Sequence, residues 1–208
     1  MALIMYLKKA PRYKNIITDQ YESIPAKDII LIEKYFNWGM AREDGKYSCD
    51  TLEEWCGVSE SELPHKYIVN YYREYFTVKK THSEIAGENE RHAIFEHIAR
   101  IAKANQIFNW FVKNVMNGSM TMEHYEVSKE QLESLFETCN SVMNGVYLNE
   151  SVAKELLPLM EDKGYFFGVD SYNDFYAEQV FAVMEIVEHL LKTTDFEKES
   201  IYFNAIWQ

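Results

Sequence analysis

The chain has 208 residues, 47% of them hydrophobic and 26% charged, which suits one compact domain and excludes disorder as its main state. Its net charge of −12 disfavours sequence-independent binding to DNA or RNA, because an acidic surface repels phosphate backbones. No apolar run is long enough to span a bilayer, and the N-terminus lacks the charge order of a signal peptide, so we expect a cytoplasmic protein that does not bind membranes.

The N-terminal part of the chain predicts a strand followed by helices. The apolar run Ala2–Leu7 is too short for three helical turns and therefore favours a strand. Apolar residues in helical order predict a helix over Asp28–Trp38 that ends at Gly39. Residues 64–80 are rich in tyrosine, and the spacing of these tyrosines favours a helix over a strand.

The C-terminal part predicts a mixture of long helices and short strands. We expect helices over residues 88–116, 128–143, 151–157 and 174–192, and strands over residues 164–168 and 201–207. The first helix is inferred from apolar residues three, four or seven apart, and the second from a capping box formed by Ser128 and Gln131. The last strand alternates between apolar and other residues, as a half-buried strand does.

These elements predict an α+β fold that is predominantly helical. Its strands lie at the N-terminus, at 164–168 and at the C-terminus, and we expect them to meet in one small sheet. Nothing in the chain resembles a linker, so we expect a single domain over 1–208, with a mobile insertion at 39–63.

The charges are unevenly distributed along the chain. Residues 1–80 hold 12 Lys and Arg against 12 Asp and Glu, whereas residues 81–208 hold 9 against 21. Such an acidic surface suits a basic protein groove, although acidity alone also keeps proteins in solution. The carboxylates that we expect to contact a protein partner are Glu185, Glu188, Glu197 and Glu199.

Motifs for catalysis and for cofactor binding are missing from the sequence. No glycine-rich phosphate loop and no Gly-x-Ser-x-Gly motif occurs, and the three cysteines form no Cys-x-x-Cys pair. We therefore expect no cofactor, no metal and no enzymatic activity. The alternative is a catalytic or metal site built from His92, Glu96 and His124, although a metal site needs three or four convergent ligands.

One aromatic segment, GYFFGVDSYNDFY at 164–176, is hard to explain as core alone. It lies between a predicted strand and a predicted helix N-terminus, where tyrosines can stack on a ring and aspartates can accept hydrogen bonds. The other interpretation makes Asp174 simply the helix N-cap. The candidate ligand-binding residues are Tyr165, Phe166, Asp170, Tyr172, Asp174 and Tyr176.

Several stretches of the chain carry a resemblance to a known family. They are LIMYLKKAPRY, KANQIFNWFVKNVMNGS, HYEVSKEQLESLFETCNSVM, LLPLMEDKGYFFGVDSYNDFY and TDFEKESIYFNAIW. Together they resemble a family of bacteriophage and prophage proteins, especially of Firmicutes, that carries no assigned activity. The chain departs from the family pattern at Ile101, Ala102 and Phe108, where the family has Trp, Arg and His.

Resemblance and charge together predict a phage accessory protein that acts by stoichiometric binding. The foremost expectation is an antagonist of host antiviral defence, such as an anti-CRISPR inhibitor that occupies the basic channel of a nuclease effector. The alternatives are a small-ligand protein that sequesters a nucleotide signal at 164–176, and an enzyme.

Overall fold

The computed structural model describes residues 2–43, 57, 59–82, 93–144, 147–160, 168 and 170–207. The helices in this part of the chain are α1 (Ala26–Glu43), α2 (Lys66–His82), α3 (Asn105–Asn114), α4 (Lys129–Val142), α5 (Glu150–Leu156) and α6 (Asp174–Thr193). The strands are β1 (Leu3–Pro11), β2 (Tyr13–Lys14), β3 (Tyr21–Glu22), β4 (Glu96–Ala102), β5 (Tyr125–Val127), β6 (Met143–Asn144), β7 (Tyr147–Leu148) and β8 (Glu199–Trp207). Across the described ranges, no helix is both long enough and apolar enough to span a membrane.

The chain divides into two compact units. The sheet unit comprises Met1–Lys9 and His97–Gln208, and the α1–α2 unit comprises Ala10–Glu96. Residues 44–56 and 58 lie outside the described residues, so the mobile insertion expected at 39–63 stays a prediction, as does the single domain.

The expected α+β fold is confirmed, and its sheet joins both ends of the chain. The strand order is β4-β1-β8-β5, so the N-terminal and C-terminal strands are neighbours at the centre of the sheet. β5 pairs antiparallel with β8 and places Tyr125 opposite Phe203. Most of the strand expected at 164–168 lies outside the described residues.

The long helix expected over 88–116 is wrong. Residues 96–102 form β4, the backbone turns at Lys103 with a φ of 57°, and a shorter helix, α3, follows. The Lys103 N–H donates to the Leu3 carbonyl at 2.9 Å, so pairing with β1 satisfies backbone groups that a helix would have paired internally. The apolar spacing continues across this turn, which is why it resembled one helix.

The last strand is more deeply buried than its alternation predicted. A half-buried strand was expected, but β8 is central in the sheet, and Tyr202 and Asn204 on its second face are only 2% and 4% exposed. On its other face the ring of Phe203 stacks on Phe111 of α3, with centroids 3.8 Å apart and an interplanar angle of 7°.

The other helices follow their sequence signals, with one difference in length. The capping box that begins α4 is confirmed, because Ser128 Oγ accepts from the Gln131 N–H at 3.2 Å and Gln131 Oε1 accepts from the Ser128 N–H at 2.9 Å. The end predicted for α1 at Gly39 is wrong, since the helix continues to Glu43. A glycine inside a helix costs only about 1 kcal/mol relative to alanine, and fully buried Ile29 and Ile32 hold this helix in place.

The α1–α2 unit is held by buried polar contacts as well as by its core. The hydroxyl of buried Tyr72 donates to the Pro11 carbonyl at 2.6 Å. The carboxylate of Glu33 in α1 accepts from the backbone N–H groups of Ile94 and Phe95 at 2.6 and 2.9 Å. These bonds connect segments that are about sixty residues apart in sequence.

Candidate protein-interaction surface

Helix α6 begins with a side-chain cap, and its two sides carry different kinds of residue. Asn173 is the N-cap, because its Oδ1 accepts from the Tyr176 N–H at 3.0 Å, so the alternative that made Asp174 the cap is wrong. Asp174 instead occupies the first turn, where its negative charge is favourable beside the helix N-terminus. One side of α6 packs into the core of the sheet unit and the other side faces outward.

The outward side carries a row of carboxylates. Asp174, Glu178, Glu185 and Glu188 are all exposed, and their spacings of four, seven and three residues place them on one face of the helix. Glu188 forms an ion pair with Lys192 at 2.6 Å. Among the residues that the structure describes, the other three carboxylates form no ion pair, so they are available to a basic partner.

An apolar groove lies beside the first half of this row. It has a volume of about 310 Å³ and is lined by Met143, Asp174, Ala177, Glu178 and Phe181. Met143 is buried and Phe181 is half-buried, so the groove has an apolar floor between two carboxylates. We call the four carboxylates and this groove the α6 surface.

Two large exposed rings lie near the groove. Phe175 in the first turn of α6 is 49% exposed, and Tyr147 in β7 is 77% exposed. β7 pairs with β6, which contains Met143, and both strands contact α6. Exposed aromatic rings bordered by charges are typical of protein-binding surfaces, where rings form the buried centre and charges the rim.

The four glutamates expected to bind a partner fall into two groups. Glu185 and Glu188 belong to the α6 surface, whereas Glu197 and Glu199 lie at the turn into β8 and at the start of that strand. Glu199 pairs with Lys9 at 3.0 Å and also accepts from the Asp195 N–H at 3.0 Å. Its carboxylate therefore holds the turn before β8, whereas the Glu197 side chain is exposed.

The aromatic segment at 164–176 serves two purposes where the structure describes it: Asp174 belongs to the α6 surface, whereas Tyr172 and Tyr176 pack inside the sheet unit. Tyr165 and Phe166 lie outside the described residues, and Asp170 is exposed. The Tyr172 ring packs on the Tyr176 ring with centroids 5.0 Å apart, and its hydroxyl accepts from the Leu159 N–H at 3.3 Å.

Tyr176 and Gly168 both have structural roles. The fully buried Tyr176 donates to the Leu157 carbonyl at 2.7 Å, and burial raises the pKa of its hydroxyl. Gly168 has a φ of 114°, and a Cβ added to it would lie 1.6 Å from the Lys103 carbonyl oxygen. No residue type with a side chain fits at this position. Ligand binding by this segment stays a prediction.

A second polar cluster lies on the sheet. His124 Nε2 is 2.9 Å from Lys8 Nζ, and the ring of His97 packs edge-on against Tyr6 with centroids 5.7 Å apart. Burial, with help from the charge of Lys8 and from His97, lowers the pKa of His124 to about 4. The imidazole is therefore neutral at pH 7 and its Nε2 accepts from the Lys8 ammonium, which has no acceptor of its own.

The alternative of a catalytic or metal site gains no support from the described residues. His92 lies outside them, and Glu96 is exposed at the start of β4, so the helical spacing assumed for this pair does not apply. In the described ranges no three His, Cys, Asp or Glu side chains are placed to hold a metal ion. Cys139 is buried, and this burial raises the pKa of its thiol to about 12, which makes it a poor nucleophile.

Sequence reasoning missed part of the α6 surface. It identified Glu185 and Glu188 but not Glu178 and Phe181, which line the groove, nor the exposed Phe175. The available signal was the row of acids opposite the apolar face of the same helix, with a phenylalanine among them.

No protein-family model, no curated protein and no solved structure matches this chain.

Proposed function

We propose that this protein acts by stoichiometric binding of a basic, amphipathic segment of another protein to the α6 surface. The observation that carries the proposal is the juxtaposition of an apolar groove with exposed carboxylates that form no ion pair within the described chain. A segment with apolar side chains on one face and Lys or Arg on its flanks would fill the groove and neutralise Asp174 and Glu178.

Charge determines which class of partner fits. Opposite charges on exposed side chains attract and like charges repel, by up to about 1 kcal/mol for a close pair. Nucleic acids and acidic peptides are therefore disfavoured at this surface. The groove of about 310 Å³ is large enough for one or two apolar side chains of a partner, which supply the non-electrostatic part of the binding energy.

The resemblance to bacteriophage proteins makes a host defence nuclease one partner of the required chemistry. Such effectors hold nucleic acid in positively charged channels, and an acidic helix could occupy that channel. We propose this antagonism as the biological use of the binding. It predicts that the protein protects phage in a plaque assay on a host with a nuclease defence, and that Glu178→Lys removes this protection. Lack of protection by the wild-type protein would overturn the antagonism.

A synthetic peptide tests the binding itself. The probe is an 18-residue amphipathic helix of Lys and Leu, and the control has Glu in place of every Lys. We expect the basic peptide to bind with a micromolar Kd in low salt, as measured by calorimetry, and the acidic peptide not to bind.

Charge reversals locate this binding on α6. Glu178→Lys should weaken it at least tenfold, whereas the matched reversal Glu155→Lys at an exposed position of α5 should change it less than twofold. Circular dichroism checks that both variants fold. Equal effects of the two reversals, or no binding of the basic peptide, would overturn the proposal.

A further inference from the structure

The α1–α2 unit contains a cleft with basic side chains in its lining, whereas the α6 surface is acidic. Its volume is about 470 Å³, within the range of roughly 300–1,000 Å³ that is typical of sites for small molecules. Leu63, Pro64 and Val69 form apolar parts of its wall, and Tyr35 of α1 contributes a half-buried aromatic ring.

The polar groups of the cleft are cationic or amide side chains. Lys66, Asn70 and Arg73 line it from α2 at spacings of four and three residues, which places them on one face of the helix. The rise of 1.5 Å per residue separates Lys66 from Arg73 by about 10 Å along the helix axis. His65 lines the cleft beside Lys66, so two groups that can donate to an anion lie at the same end.

Among the residues that the structure describes, none that lines the cleft is acidic, although the chain as a whole has a net charge of −12. Glu62 is the carboxylate just before the lining segment in sequence. Its side chain is used within the preceding turn, where it accepts from the Ser59 N–H at 2.7 Å and from the Ser59 hydroxyl at 3.0 Å. The described lining therefore combines basic side chains with apolar walls.

Aromatic contacts hold the wall and one of its cations in position. Tyr35 packs edge-on against Phe36 with centroids 5.4 Å apart, and the Arg73 guanidinium lies over the Phe36 ring at 5.8 Å from the centroid. The exposed Asn70 amide offers one acceptor and two donor hydrogens, which can read the edge of a heterocycle.

We infer that this cleft binds a small molecule that carries a phosphate on a planar ring, of the size of a mononucleotide. The phosphate binds at the His65 and Lys66 end, where two neighbouring side chains can donate charge-assisted hydrogen bonds to it, and the ring lies against Tyr35. The inference is independent of the α6 surface and does not require that surface to bind a protein.

The test measures binding of the four 5′-mononucleotides, of the four matching nucleosides and of inorganic phosphate to the full chain. We expect at least one mononucleotide to raise the Tm and to bind in calorimetry, because a ligand that binds only the folded state stabilises it. The matching nucleoside and inorganic phosphate should each bind at least tenfold more weakly than that mononucleotide. Absence of binding by all four mononucleotides, or equal binding of the nucleoside, would overturn the inference.

Two exposed positions locate the ligand without disturbing the core. Lys66→Gln and His65→Gln should each lower the affinity for the mononucleotide at least fivefold. Lys113→Gln is the matched control, since Lys113 is an exposed lysine on α3 of the sheet unit. Unchanged affinity in Lys66→Gln, with its Tm equal to that of the wild type, would place the ligand elsewhere and contradict the inference.

Discussion

The two sides of helix α6 use polar residues in opposite ways. On the inner side, Gln179 donates from Nε2 to the carbonyls of Ala102 and Lys103 at 3.2 and 3.1 Å and accepts from Gln106 at 3.1 Å, while Tyr176 holds Leu157. On the outer side, Glu178 and Glu185 form no ion pair in the described part of the chain.

The difference shows which polar groups can recognise a partner. A buried group whose hydrogen bonds are made inside the protein would lose them on binding a ligand, so it contributes to stability. An exposed charge without a partner loses nothing within the protein when it pairs with a basic side chain. Substitutions on the inner side should therefore change stability, and those on the outer side should change binding.

The largest effect on stability is expected for Gly168→Ala, in the segment that precedes α6. Its Cβ would meet the Lys103 carbonyl at 1.6 Å, and its φ of 114° is unfavourable for alanine, so we expect a loss of roughly 3 kcal/mol in the free energy of unfolding. The control is Gly118→Ala, where φ is 79° but no atom lies within 4 Å, and it should cost only about 1 kcal/mol. Equal losses in urea unfolding would show that the close approach is not essential.

A partly buried histidine makes the stability of the protein depend on pH. The pKa of His124 is lowered from its ordinary 6.5 to about 4, so the unfolded chain binds the proton more readily than the folded one. The contribution of His124 to the free energy of unfolding is therefore fully present above pH 6.5 and is lost as the pH falls toward 4. This loss is about 1–2 kcal/mol, because solvent screens the partly exposed ring. An NMR titration should give a His124 midpoint near 4. A midpoint near 6.5 would contradict the burial of the His124 ring beside Lys8.

Removal of one hydroxyl tests whether Tyr176 is structural. Tyr176→Phe keeps the ring and removes the bond to the Leu157 carbonyl, which should cost about 1–2 kcal/mol of unfolding free energy. Binding of the basic peptide at the α6 surface should stay within twofold of the wild type. A large loss of peptide affinity with unchanged stability would instead assign Tyr176 to recognition.

The smallest effect on stability is expected on the outer side. Glu185→Gln removes one exposed charge that forms no ion pair within the described residues, so the Tm should change by less than about 2 °C. Affinity for the basic peptide should fall severalfold, and more steeply at low salt than at high salt. A marked drop in Tm without a change in affinity would reverse the assignment of the two sides.

Local signals in the sequence predicted much of the fold. The capping box before α4 and the apolar periodicity of α6 depend on residues within a few turns, so they could be read directly from the sequence. The β4 strand could not be read in this way, because its identity depends on pairing with β1, which lies far earlier in the chain. The turn at Lys103 carries no glycine or proline to mark it.

The site was predicted less completely than the fold. Acidity indicated Glu185 and Glu188, but the groove at Met143 and Phe181 depends on the way α6 packs beside β6. The tyrosines at 172 and 176 resembled ligand groups because a sequence does not show which hydroxyls find a backbone carbonyl or N–H inside the protein.

Amide chemical-shift mapping of the basic peptide on the isotope-labelled protein tests the central claim most directly. We expect the largest shifts on the outer side of α6 from Asp174 to Glu188, and on the paired strands β6 and β7. Small shifts there, with the largest ones in the α1–α2 unit or at β4, would contradict the assignment of the α6 surface as the protein-binding site.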